Sequence, residues 1–183
     1  MRLCLALALA AASLSPANAA QPDAPTAPQA GLPAVTAYSL GKTRTTLPKD
    51  FTAPLNVLIL SFQRDQQAEV EGWLPSLKAM ASAHPECQFW VLPVFPTENY
   101  LYRWWLNASL RNSAPDPGIL GHTVPLYVNK PRFLRSLQIG SEKNIALLLT
   151  DRSGKVQWTT WGSVSDGKKE ALAAALAAGA RSK

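Results

Sequence analysis

The chain has 183 residues, a formal charge of +6 and a mean hydropathy of −0.03. That length fits one domain with a sizeable core. With 47% hydrophobic and 16% charged residues, the composition excludes both a chain that spans a membrane throughout and one that stays disordered. Its basic residues are scattered rather than blocked, which argues against a nucleic-acid footprint and leaves an acidic partner or anionic lipid headgroups open.

Residues 1–19 read as a signal peptide. Arg2 gives a positive start, residues 3–14 an apolar run, Pro16 a break, and Ala17-Asn18-Ala19 a small-x-small cleavage pattern. The run is shorter than the ~20 residues a membrane span needs. Cleavage after Ala19 would yield a periplasmic or secreted protein, and losing Arg2 would take the charge from +6 to +5. It would also remove Cys4 and leave Cys87 alone. One thiol forms no internal disulfide, so Cys87 is either a small buried hydrophobe or an intermolecular handle.

Residues 20–50 contain Pro22, Pro25, Pro28, Pro33 and Pro48 and read as a Pro-rich extended linker, in which 35–40 could add an edge strand. The domain is expected over 51–181. Residues 55–62 are nearly all apolar, as in a strand covered on both faces. Asp65 is expected to cap a helix carrying Val70, Trp73, Leu74, Leu77 and Met80 at three- and four-residue spacing, kinked at Pro75 and ended by His84-Pro85. Residues 87–95 form a second buried strand, and the resulting βαβ unit makes the two strands parallel.

Thr97 is expected to cap an insert helix with Tyr100, Leu101, Trp104 and Trp105. A loop over 113–118, an extended segment at 123–128 and a short helix opened by Pro131 follow. Residues 145–149 form a third strand, Asp151-Arg-Ser-Gly154 a hairpin turn, and 155–158 the start of the returning strand. Ser165 or Asp166 caps a last helix over 167–178. The order is that of a thioredoxin-like α/β fold: a three-layer sandwich, its central mixed sheet flanked by helices, with a helical insert.

Two resemblances sharpen this reading. Ser61-Phe-Gln-Arg-Asp-Gln-Gln-Ala-Glu-Val-Glu-Gly-Trp-Leu-Pro75-Ser-Leu77 resembles the active-site segment of TlpA-like thioredoxins. Anchored on Phe62, Pro75 and Leu77, the family's CxxC cysteines fall on Gln67 and Val70, a vestigial active-site turn. The family's cis-proline falls near Lys143-Asn144, where this chain has none. An amide cannot attack a disulfide and an isopropyl group cannot resolve one. In the C-terminal half, Asn144, Asp151, Gly154, Trp158 and Gly162 resemble the pattern of mitochondrial ATP synthase assembly factors of the Atp10 type, thioredoxin-like chaperones without CxxC. The resemblance spans about residues 51–180 and implies a non-redox, chaperone-like role. The secretory signal departs from that mitochondrial family.

Tyr100, Tyr102, Trp104 and Trp105 either dock an apolar partner segment or a membrane interface, or they cap the sheet. Trp158 and Trp161 either pack on the last helix or line the groove beside Gln67, where they would suit an extended peptide. His84 and His122 lack a metal-ligand pattern, and Glu69 and Glu71 point apart on their helix. No cofactor or metal is expected. The residues point to an exported, redox-inactive thioredoxin-like protein binding a protein partner, a membrane-associated one included, through Tyr100, Tyr102, Trp104, Trp105 and Trp161. The alternatives are a periplasmic thiol-redox or peroxide-handling protein using Cys87, and a small-molecule binder using the tryptophans.

Overall fold

A computed structural model describes residues 30–96 and 117–181. The signal peptide, residues 20–29 of the expected linker, and the insert helix with Tyr100, Tyr102, Trp104 and Trp105 lie outside the described residues.

Strand β3 (Leu55–Ser61) alternates its side chains between two apolar environments, as period-two geometry requires. Leu55, Val57 and Ile59 face one core cluster; Leu58 and Leu60 face the other. It lies at the centre of a five-stranded sheet ordered β5-β4-β3-β6-β7, formed with β4 (Cys87–Pro96), β5 (Leu126–Val128), β6 (Ala146–Asp151) and β7 (Val156–Trp161). β3, β4 and β5 run parallel, β6 runs antiparallel to β3, and β7 runs antiparallel to β6, so the mixed sheet is as expected.

Two helices cover the first face. α1 (Gln67–Ala83) buries Val70, Trp73, Leu74 and Leu77 and runs on through Pro75. The C-terminal helix α3 (Asp166–Arg181) buries Leu172 and Leu176. Asp65 does not cap α1. It lies in a 3-10 turn, Arg64–Gln66, that precedes the helix, and α1's N-cap is Gln66.

The second face is covered by α2 (Lys130–Ser136), through Phe133 and Leu134, and by residues that read as linker. Residues 30–50 instead form β1 (Val35–Tyr38) and β2 (Arg44–Leu47), an antiparallel hairpin that buries Ala37 and Leu47 against Leu58, Leu60 and Leu92. Leu32 and Phe51 complete this cover. The segment is also tied by backbone bonds: Gly31 N–H to Ser136 C=O, Leu32 N–H to Gly154 C=O, and Leu40 N–H to Thr123 C=O. Of the five prolines that suggested a linker, the two among the described residues, Pro33 and Pro48, stand outside the strands, where they remove no ladder donor.

The β6–β7 turn closes on Asp151, whose Oδ1 accepts the N–H groups of Ser153 at 2.8 Å and Lys155 at 3.1 Å. Gly154 sits at φ +87°, and a Cβ there would stand 2.9 Å from Pro48 Cγ, so the turn and the hairpin meet too closely for any side chain. No helix among the described residues is long and apolar enough to cross a membrane.

Leu47 is fully buried although it belongs to the segment that reads as linker. Leu47→Ala should lower unfolding free energy by about 2–5 kcal/mol, the cost of a core truncation, measured by urea denaturation. A loss below about 0.5 kcal/mol, the level of a surface change, would mean that the hairpin is dispensable.

Candidate functional site

At the end of β3 the chain must reverse into α1, and the reversal leaves backbone donors to satisfy. Gln66 does this. Its side chain is buried, and its Oε1 accepts the N–H of Phe62 at 2.7 Å and of Gln63 at 3.2 Å. Its Nε2 donates to the Glu142 carbonyl at 2.7 Å, and Gln63 Nε2 donates to the same oxygen at 3.2 Å. Lys130 completes the joint. Its ammonium donates to the Phe62 carbonyl at 3.0 Å and pairs with the Glu142 carboxylate at 2.7 Å, over the Phe62 ring. The turn before α1 is thus bolted to the loop before β6.

That loop has a second side. Gly140, Ser141 and Asn144 line a cavity of about 310 Å³ together with Trp161 at the end of β7. Trp161 is 38% exposed. Its backbone is held from behind: Lys168 Nζ donates to the carbonyls of Trp161 at 2.6 Å and Ser163 at 2.8 Å. The Gly162 carbonyl accepts from Trp73 Nε1 at 3.0 Å, and its N–H reaches the Ile145 carbonyl. The result is a fixed aromatic ring next to a polar loop.

Gln67 is exposed at the first position of α1, its Nε2 donating to Glu71 Oε1 at 2.9 Å, while Val70 is buried in the core. Neither lines the Trp161 cavity. Glu69 is half-buried, and its Oε2 has no hydrogen-bond partner. Trp158 and Trp161 separate: Trp158 packs against the α1–α3 cluster, whereas Trp161 opposes Ala146 on the other face of the sheet. Sequence reasoning missed Gln66, Lys130 and Glu142. Gln66 is one of five consecutive polar or charged residues from Gln63 to Gln67, and its partner lies 76 positions away.

Cys87 lies at the far end of the sheet. It pairs with Leu55 at the start of β3, while the Gln66 turn follows Ser61 at the other end. Burial, aided by the Glu86 carboxylate, pushes its thiol from the ordinary 9.0 up to about 12. His122 stacks on Phe89 at 5.6 Å and meets Trp90 edge-on at 5.5 Å, and burial holds its pKa below the usual value. It too belongs to the Cys87 end.

Gln66→Ala should cost about 1–3 kcal/mol in thermal or urea unfolding, because two backbone N–H groups lose their acceptor. Native Cys87 at pH 8 should react with a thiol reagent roughly a thousand-fold more slowly than a free cysteine. The sign with pH is fixed by the raised native value. Below about 9 the thiol is neutral in both states; between about 9 and 12 only the unfolded chain ionises, so stability falls as pH rises. Cys87→Ser should flatten that decline in denaturation midpoints taken from pH 8 to 11.

No protein-family model matches the sequence, and no curated protein matches it. Solved structures do. BsSco, a member of the Sco family of cytochrome c oxidase assembly proteins, aligns with a TM-score of 0.58 at 12% identity, covering 83% of this chain and 95% of that one. The exposed lipoprotein thioredoxin Etrx1 of Streptococcus pneumoniae strain TIGR4 gives 0.53 at 11%, covering 79% and 98%. A thiol:disulfide interchange protein from Bacteroides sp. gives 0.50 at 19%, covering 80% and 88%. Such identities carry the fold and no more. On the layers, the mixed sheet and these likenesses together, the chain has a thioredoxin-like α/β fold.

Proposed function

We infer that this is an exported, non-catalytic thioredoxin-like protein that binds an extended segment of a protein partner in an assembly or chaperone-like role. The observation that carries the reading is a contrast between neighbouring surfaces. The turn that would present two sulfurs in a redox relative carries Gln67 and Val70 and is tied by Gln66 to the loop before β6, whereas on the other side of that loop Trp161 stands exposed over an open cavity. An exposed aromatic beside Ser141 and Asn144 offers apolar area together with amide and hydroxyl groups, which is what a peptide backbone and its side chains take up. The Atp10-type pattern supports the assembly role, and the Sco family of assembly proteins is a precedent on a similar fold. The signal-peptide pattern supports export. The single-thiol alternative needs a reachable thiolate, and Cys87 is 5% exposed.

The test has two arms. Insulin-disulfide reduction by the wild type, with Cys87→Ser as control, should not exceed background; turnover in the wild type alone would overturn the non-catalytic reading. A photo-crosslinking residue at position 144 should give a discrete protein adduct in cells, and Trp161→Ala should weaken it about ten-fold, as loss of an aromatic anchor does. An adduct unchanged by Trp161→Ala would remove the proposed site.

A further inference from the structure

The two layers that sandwich the sheet differ in charge. Among the described residues, the layer of the hairpin, β5–α2 and the β6–β7 turn (residues 30–54, 126–138 and 151–156) carries eight basic side chains against two acidic ones, a net +6. The α1–α3 layer (residues 62–86 and 163–181) carries five against six, a net −1. Both acids of the basic layer serve local turns: Asp50 Oδ2 accepts the Thr46 N–H at 2.6 Å, and Asp151 holds the β6–β7 turn. Lys42, Arg44, Lys49, Arg132 and Arg135 are all exposed, and the ion pairs among the described residues engage none of them.

A second observation comes from strand register. Tyr38 stands opposite Arg44 and Thr36 opposite Thr46, so these four share the outer face of the hairpin while Ala37 and Leu47 face the core. Tyr38 is 62% exposed. A phenol ring beside a guanidinium, with Lys42 in the tip and Lys49 just past β2, combines an interfacial aromatic with cations for phosphates. The cations are spread over the hairpin and α2 rather than converging on one point. That spacing suits a continuous sheet of headgroups better than a single small anion.

We propose that this basic layer docks the protein on an anionic phospholipid surface, with Lys42, Arg44 and Lys49 over the phosphates, Tyr38 at headgroup depth, and Arg132 and Arg135 extending the contact. This surface is separate from the Trp161 cavity and does not depend on it.

Full-length protein is mixed with vesicles of phosphatidylcholine alone, or of phosphatidylcholine and phosphatidylglycerol in equal parts, and binding is read by co-sedimentation. Phosphatidylcholine alone reports whatever the apolar N-terminal run contributes. The anionic vesicles should bind at least about ten-fold more tightly at about 50 mM salt, and most of that excess should vanish at about 300 mM as screening shortens. The triple reversal Lys42→Glu, Arg44→Glu and Lys49→Glu should abolish the excess. Arg132→Glu with Arg135→Glu should reduce it, and this pair carries the test if the triple variant loses its native circular dichroism. Reversal on the other layer, Lys78→Glu with Arg181→Glu, should leave it intact. Equal binding to both vesicle types overturns the proposal and reassigns the charge to an acidic protein partner. Equal loss from the opposite-layer reversal overturns it as well.

Discussion

Strand β3 has no face turned to water, so each of its two apolar faces needs a cover. The first is served by helices of 17 and 16 residues. The second has only α2, of 7 residues, which is too short to span the sheet. The missing area comes from the N-terminal hairpin, where Leu32, Ala37, Leu47 and Phe51 are buried against β3 and β4. Burying a leucine side chain contributes about 1.5–3 kcal/mol, a large share of the stability of an ordinary domain. The hairpin is therefore part of the fold. Gly154 records the same constraint, because the turn it forms must pass within van der Waals reach of Pro48.

The same strand dictates the chemistry at its other end. In a redox relative the start of the following helix must stay open, so that a thiolate can use the helix N-terminus. Here the buried Gln66 amide consumes the Phe62 and Gln63 donors and reaches across to Glu142, and Lys130 occupies the Phe62 carbonyl. These backbone groups of the turn are spent within the protein. An open surface lies on the far side of the 139–145 loop, where β7 is an edge strand. The element on the hairpin side of the sheet does not reach it, and Trp161 stays exposed there while Trp158 is half-buried on the side of α3.

Much of this was readable from local pattern. Nearly continuous apolar runs in β3, β4 and β6 marked the buried sheet, helix-length spacing marked the βαβ unit, and Asp151 with Gly154 marked the turn. The placement of Cys87 at the far end follows from that topology alone. What escaped depended on partners distant in sequence. Gln66 is indistinguishable from Gln63 or Gln67 until Glu142 is beside it, and β2, at four residues, is too short for alternation to stand out beside Pro48, although β1 falls within the strand offered at 35–40. The split between Trp158 and Trp161, by contrast, follows from simple alternation once both lie on β7, since residues three apart on a strand face opposite sides of the sheet.

The charge polarity has a simpler candidate cause, since exposed strands are often guarded by Lys and Arg against edge-to-edge pairing. That accounts for Arg44 in β2 and for Lys42 at the hairpin tip. It does not reach Arg132 and Arg135, which lie on α2, where no ladder needs guarding. Nor does it account for Tyr38, since a large exposed ring on a short strand invites association rather than preventing it. The opposite layer argues the same way, because it keeps its charges nearly balanced and pairs Lys169 with Asp166. Edge protection acts strand by strand, whereas the excess here follows one side of the molecule across a hairpin, a helix and a turn.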